Sequence, residues 1–227
     1  MPRKARWAPG GICYHVVDRG NSRATVYHEA ADYADFLDLM ARACEHVPMR
    51  VLGYCLMPNH VHLVLWPFAD ADLGRWMHWV LTTHVHHHHK RHATSGRIWQ
   101  GRYKAFPIQQ DHHLLTVLRY VERNPLRARL VERAEAWRWS SLRWWSQEAR
   151  PAFLARGPVR RPDGWVSRVN EAVTDAELRA IRMSVQRSRP FGAEDWILRT
   201  ATALNMESSL RNRGRQPRRA TSLRVFA

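Results

Sequence analysis

Met57-Pro58-Asn59-His60-Val61-His62-Leu63-Val64-Leu65-Trp66 is the stretch whose reading decides the fold of this chain. Side chains along a β-strand alternate between faces, so Val61, Leu63 and Leu65 project one way and His60, His62 and Val64 the other. Pro58-Asn59 carries turn chemistry and predicts that this strand folds back on Val51-Leu52-Gly53-Tyr54-Cys55-Leu56-Met57. A hairpin this apolar needs a second layer against it. Two imidazoles side by side on a rigid strand suit a divalent metal. Taken alone, a His-x-His pair is more often two hydrogen-bonded, partly buried histidines.

The second layer is legible on either side of the hairpin. Ile12 to Asp18 reads as a strand and Arg19-Gly20-Asn21-Ser22-Arg23 as a polar loop. Tyr33 to Val47 reads as a helix with Phe36, Leu39, Met40, Ala43 and Val47 on one stripe. A second helix is predicted over about 71–92, and a fourth strand over Arg102 to Gln109. Residues 111–123 form a further helix. Asp111 caps it, Leu114, Leu115, Leu118 and Val121 recur at helical spacing, and Asn124-Pro125 ends it. The order β-α-β-β-α-β predicts an α+β fold, a ferredoxin-like antiparallel sheet with helices on one face, followed by a helical basic C-terminal extension.

Tyr120 and Asn124 lie one turn apart and share a face if the last turn reaches Asn124. A tyrosine hydroxyl can act as a covalent nucleophile, and an asparagine carbonyl can complete a metal site begun by two histidines. Each also has an ordinary reading, Tyr120 as an amphipathic core residue and Asn124 as a helix-end cap.

Three segments occur in order: Met57-Pro58-Asn59-His60-Val61-His62-Leu63, Trp99-Gln100-Gly101-Arg102-Tyr103-Lys104, and Tyr120-Val121-Glu122-Arg123-Asn124-Pro125-Leu126-Arg127-Ala128. Together they resemble the REP-associated tyrosine transposases, relatives of the single-tyrosine HUH transposases, over roughly residues 8–145. The resemblance implies the ferredoxin-like fold and an enzyme that nicks and rejoins single-stranded DNA beside hairpin repeats. It implies Tyr120 as the nucleophile of a 5′-phosphotyrosine intermediate, with His60, His62 and Asn124 holding Mg2+ or Mn2+. Arg19, Asn21, Arg23, Arg102 and Lys104 are candidates for DNA contact on charge and proximity.

Composition agrees with a polyanionic partner. The formal net charge is +16 on 227 residues and the pI is near 11.1, beyond what solubility requires. Lys4, Lys90 and Lys104 are the only lysines. Arginine carries the rest, with its planar fork for phosphate and its capacity to stack on bases. Single-stranded or hairpin DNA is therefore the expected partner of a monomer or homodimer. Cys13, Cys44 and Cys55 lack CxxC spacing and read as small buried hydrophobes in a reducing cytoplasm. The basic start, Met1 to Trp7, is followed by no long apolar run, and no stretch is long and apolar enough to span a membrane. Secreted, disulfide-framed and membrane classes are set aside on these grounds.

The organisation predicted is a catalytic domain over 1–145, a linker over 146–165 and a helical basic region with a disordered tail over 166–227. Trp137, Trp139, Trp144 and Trp145, interleaved with Arg138 and Arg143, either pack on the core or stack on unpaired bases. Packing is the favoured reading. Pro151, Gly157, Pro158, Pro162 and Gly164 mark the linker. Asp175 to Arg187, Ala193 to Leu204 and Met206 to Arg213 read as helices, the last two a helix-turn-helix or a clip on the core. Arg213-Gly214-Arg215-Gln216-Pro217 resembles a minor-groove hook interrupted by glutamine. The modest reading of Arg213 and Arg215 is a basic tail with salt-sensitive affinity.

The tract His84, His86, His87, His88, His89 and His92 is expected to be a surface stretch that touches phosphate. Only spacings of three or four share a helix face, so a metal could be held adventitiously by His84 with His88 or by His88 with His92, the less favoured reading. Two other functions fit the same fold: a catalytically silent DNA-binding protein or regulator of palindromic repeats, and an RNA-binding module that stacks bases on sheet aromatics. Tyr14 and Tyr54 are present for the latter, without its aromatic signature. The target hairpin and the physiological role are not written in the sequence.

Overall fold

Strand β3 (His60–Pro67) lies between β2 (Met49–Met57) and β1 (Cys13–Arg19), and β4 (Lys104–Ile108) closes the other side of β1. All three pairings are antiparallel, in the order β2-β3-β1-β4. The computed structural model describes residues 8–147 and 149–211. Met57 pairs with His60, so Pro58-Asn59 is the two-residue turn the sequence calls for. Tyr14, Val16, Tyr54, Leu56, Val61, Leu63 and Leu65 form one apolar face; Cys13, Cys55, Met57, Val64, Phe106 and Ile108 form the other.

The first face is covered by α1 (Ala30–His46) and α2 (Asp72–His92). Phe36, Leu39, Met40 and Ala43 of α1 are buried, matching the predicted stripe. The β-α-β-β-α-β order and the antiparallel sheet are those of the ferredoxin-like arrangement. The second face is covered by α3 (His112–Glu122), through Leu114, Val117, Leu118 and Val121. That helix approaches β2 closely at Gly53, where an added Cβ would stand 2.7 Å from the Leu118 side chain. Asp111 caps α3 by accepting from the His113 amide, at 2.8 Å.

The chain past α3 packs on both faces, with Trp139 and Leu154 in the first-face core and Leu142, Trp165, Val169, Ile181 and Phe191 in the second. A short helix, α4 (Asn124–Arg127), continues directly from α3 with Pro125 in its first turn. The tryptophans behind it pack on the core. Trp139 stacks on Tyr33, with 4.8 Å between ring centres. Trp137 Nε1 donates to the Leu56 carbonyl and Trp144 Nε1 to the Tyr54 hydroxyl. Between residue 150 and α5 (Trp165–Asn170) there is no helix. This stretch, expected to be a linker, runs along β2: the Ala155 amide donates to the Val51 carbonyl and Arg161 Nη2 to the Leu52 carbonyl. Then come α6 (Asp175–Arg187) and α7 (Glu194–Ala203), at the places the sequence assigns them. A single turn over Glu207–Ser209 stands where a third helix was expected to begin; residues 212 and 213 of that expectation lie outside the described residues.

The histidine tract departs from its expected exposure. His84 is 2% and His88 6% exposed. The cause is the helical period: Leu73, Trp76, Met77, Val80, His84 and His88 form one inward stripe of α2. Cys13 and Cys55 are buried and Cys44 half-buried, all as free thiols. No described helix is long and apolar enough to cross a membrane.

Candidate active site

The sheet places both histidines of the His-x-His pair by register. His60 pairs with Arg19 and His62 with Val17 across β1, and the two imidazole centres are 5.0 Å apart. Each ring is held through Nδ1. His60 Nδ1 lies 2.6 Å from Asn59 Oδ1, and His62 Nδ1 lies 2.9 Å from His15 Nε2. Those contacts leave Nε2 of both rings available as ligand atoms. Burial lowers the His60 pKa to about 4, assisted by the Arg19 and Arg127 guanidinium groups. Burial, the neighbouring His60 and His15, and the same two arginines hold His62 well below its ordinary value. Both rings are thus neutral at physiological pH, the form that binds a metal.

Tyr120, near the end of α3, is 6% exposed. Its ring centre is 5.7 Å from that of His62 and nearly perpendicular to it. The Arg127 guanidinium carbon stands 5.5 Å from the same ring centre. Asn124 begins α4 and points its amide back along α3, with Nδ2 donating to the Tyr120 and Val121 carbonyls at 2.9 and 3.3 Å. Its Oδ1 accepts from Arg127 Nη2 at 2.6 Å. The backbone therefore delivers Tyr120, Asn124 and Arg127 as a unit next to His62, with an amide oxygen already directed at a positive charge.

A cleft of about 550 Å3 opens beside this group, lined by Asp18, Arg19, Arg102, Lys104, Tyr120 and Arg127. Four cationic side chains around one tyrosine make an anion-binding wall. Asn21 and Arg23 do not line it. They sit on the exposed turn after β1, where the Asn21 amide donates to the Ile98 carbonyl and Asn59 Nδ2 to the Arg23 carbonyl. Arg213 and Arg215 lie outside the described residues.

Four contributors escaped the sequence reading. His15, fully buried, braces His62, and burial drops its pKa to about 3. A lone histidine in the apolar run Cys13-Tyr14-His15-Val16-Val17 was the available signal. Arg127 was quoted within a motif but given no role; its i+3 spacing from Asn124 was the clue. Arg182 and Gln186 of α6 also line the cleft, and only tertiary structure brings them there. One further group, Asp111 with His112 and His113, has ligand atoms within 4.8 Å of one another. It stands at the far end of α3 from Tyr120, with Asp111 already spent on the helix cap.

Residues 10–124 match the family model described as "Transposase IS200 like". A Haemophilus influenzae protein named as a REP-associated tyrosine transposase is 26% identical over 147 residues, 59% of this chain and 80% of its own length. A solved structure of a REP-associated tyrosine transposase bound to a REP hairpin superimposes with a TM-score of 0.54 at 17% identity. That match covers 77% of this chain and 99% of the other, and it is a likeness of fold.

Proposed function

The chain belongs to the family of IS200-like transposases, enzymes that act on DNA, and from that premise we propose that it nicks and rejoins single-stranded DNA beside hairpin repeats through a 5′-phosphotyrosine intermediate. The observation that carries this reading is Tyr120 in the wall of a cationic cleft, with its ring 5.7 Å from that of His62. His60 Nε2, His62 Nε2 and Asn124 Oδ1 are the atoms proposed to hold Mg2+ or Mn2+. The donor set fits: two neutral imidazoles whose second nitrogens are engaged, and an amide oxygen already facing a cation. A bound dication supplies Lewis-acid polarisation of the scissile phosphate.

The residues do the rest. Arg19, Arg102 and Lys104 bind the phosphodiester and place it against Tyr120. Tyr120 Oη attacks phosphorus in line and loses its proton; the new O–P bond forms as the bond from phosphorus to the 3′ oxygen breaks. The 3′ oxygen leaves and is protonated. One phosphodiester replaces another, so a 3′ hydroxyl from a second strand reverses the step without external energy. Arg19 and Arg127 beside a dication would repel it in the absence of DNA. An arriving phosphate offsets that charge, which couples metal binding to DNA binding.

In this reading residues 1–145 are the catalytic unit, and 166–227 an accessory region that reaches the cleft through Arg182 and Gln186. Asn21 and Arg23 add contacts to hairpin DNA outside the cleft, Arg213 and Arg215 add further affinity for it, and the enzyme works in the cytoplasm. The runner-up, a silent DNA-binding regulator, uses the same cationic wall without the chemistry. Labelled hairpin DNA from palindromic repeats of the same genome, incubated with the protein and Mn2+ or EDTA, separates the two. A denaturation-resistant adduct that needs both metal and Tyr120, and is absent in Tyr120→Phe, supports the transferase. Tight hairpin binding with no adduct supports the regulator.

A further inference from the structure

On the opposite face of the sheet, where α2 ends, a second histidine group stands apart from the proposed chemistry. His88 is 6% exposed, and neither of its ring nitrogens has a hydrogen-bond partner. A buried imidazole donor and acceptor left unmatched is costly. Its neighbours are imidazoles: the His92 ring centre is 4.6 Å away and that of His28 5.7 Å, with His28 and His92 5.1 Å from each other. The remaining histidines of this end of α2 have other business. His87 contacts Asp35, and His89 contacts Thr94 and the Gly96 carbonyl.

Beneath the group lies Asp32 of α1, 2% exposed. Burial works to raise its pKa. Hydrogen bonds from His92 and Arg91 and from the His28 and Glu29 amides outweigh this and hold it at about 2. His92 Nε2 donates to Asp32 Oδ1 at 2.8 Å, which leaves His92 Nδ1 to face another partner. A histidine backed by a carboxylate is the usual arrangement behind a metal-bound imidazole, since it fixes the tautomer and raises basicity.

We propose that His28, His88 and His92 bind a first-row transition dication such as Zn2+, with Asp32 orienting His92 and a fourth position open to solvent. Metal–nitrogen bonds of about 2.0–2.1 Å on a tetrahedral centre put imidazole ring centres about 5 Å apart. The three observed separations bracket that spacing. Rotation of the rings about their side-chain bonds is what remains to converge their nitrogens. Three neutral imidazoles select Zn2+, Co2+, Ni2+ or Cu2+ over Mg2+, and the Asp32 carboxylate offsets the ion's charge. His28 is exposed and His92 partly so, which gives an entry path. The ion would tie the segment before α1 to the end of α2, a structural role independent of DNA cleavage.

Co2+ is the probe, on full-length chain without a tag. In a His60→Ala/His62→Ala parent, which lacks the proposed catalytic ligands, one Co2+ per chain is expected, with the strong visible absorption of four-coordinate geometry. Adding His28→Ala and His92→Ala, both at least partly exposed positions, should weaken Co2+ binding by more than tenfold and abolish the rise in Tm given by Zn2+. Circular dichroism in EDTA checks that each variant is folded. Should the parent not fold, the same pair in the wild-type background should lower the Co2+ count by one and leave the Mn2+-dependent adduct intact. No bound Co2+, or Co2+ retained without His28 and His92 (as when His112 and His113 hold it), overturns the proposal. Neither result bears on cleavage at Tyr120.

Discussion

His15 and His62 meet edge to edge with rings 3° from parallel, and His15 Nε2 lies 2.9 Å from His62 Nδ1. His15 is buried from solvent and does not line the cleft; it bears on the site by fixing the orientation and tautomer of His62 and by packing edge-on against the Tyr120 ring, 6.1 Å away. Removing an outer partner of a metal-binding histidine costs about 10- to 100-fold in metal affinity. His15→Ala is therefore expected to raise the Mn2+ concentration needed for half-maximal nicking by that factor. Hairpin affinity in EDTA should stay within about twofold. Equal loss of both would make His15 a general packing residue instead.

Arg127 competes for the oxygen the proposed metal site needs, since its Nη2 lies 2.6 Å from Asn124 Oδ1. Without DNA, Arg127→Ala is expected to tighten Mn2+ binding, read by calorimetry or Mn2+ resonance, because both the competing hydrogen bond and a nearby positive charge leave. With DNA the sign reverses for the anion, and hairpin affinity should drop by about 1 kcal/mol or more for a lost phosphate contact. On an Asn124→Ala background the gain in metal affinity should shrink to the part owed to the lost charge; such non-additivity is the mark of two groups acting on one site.

The strand register and helix stripes were legible because period-2 and period-3.6 patterns are local and each apolar face had only one sheet to cover. Val61, Leu63 and Leu65 alternate against His62 and Val64 in the sequence as they do in the sheet. The Asp111 cap and the Pro58-Asn59 turn were equally plain, being contacts within a few residues. The cleft was half legible: His60, His62, Tyr120 and Asn124 stand out as residue types, whereas His15, Arg182 and Gln186 reach it through pairings distant in sequence. The histidine tract misled for a related reason. Polar composition argued for the surface, but its phase on α2 follows Trp76, Met77 and Val80, and packing of the apolar part fixes which way the histidines face.

Glu122 holds the C-terminal region against the catalytic core. It is fully buried. Oε1 accepts from Ser141 Oγ and Trp145 Nε1, Oε2 accepts from Trp165 Nε1, and Arg161 Nη2 lies 3.5 Å away. Taking away one partner of a buried ion pair leaves the other charge uncompensated and costs about 3–5 kcal/mol. Glu122→Ala should destabilise by that order in chemical denaturation, and Glu122→Gln by less, since an amide retains an acceptor. If Glu122→Ala unfolds within about 1 kcal/mol of the wild type, the cluster does not anchor this region.

Asp18 makes stability depend on pH with a sign opposite to that of the buried histidines. It is 4% exposed, its Oδ2 has no partner, and burial lifts its pKa from 3.8 to about 7 against the opposing Arg19 amide. An acid whose folded pKa is raised favours folding in its protonated form. The penalty is absent below about pH 4, grows through the window between the unfolded and folded values, and is complete above pH 7. His15 and His60, with lowered values of about 3 and about 4, instead weaken the fold as pH falls below the ordinary histidine range. They do so equally in wild type and in Asp18→Asn, so the difference between the two chains isolates Asp18. Asn keeps an acceptor for the Arg19 amide and cannot ionise. The variant should match the wild type at pH 4 and exceed it at pH 8, by roughly 2–4 kcal/mol from the size of the shift. Urea midpoints across that range measure it; a constant difference with pH would mean that Asp18 is ionised in the folded protein throughout.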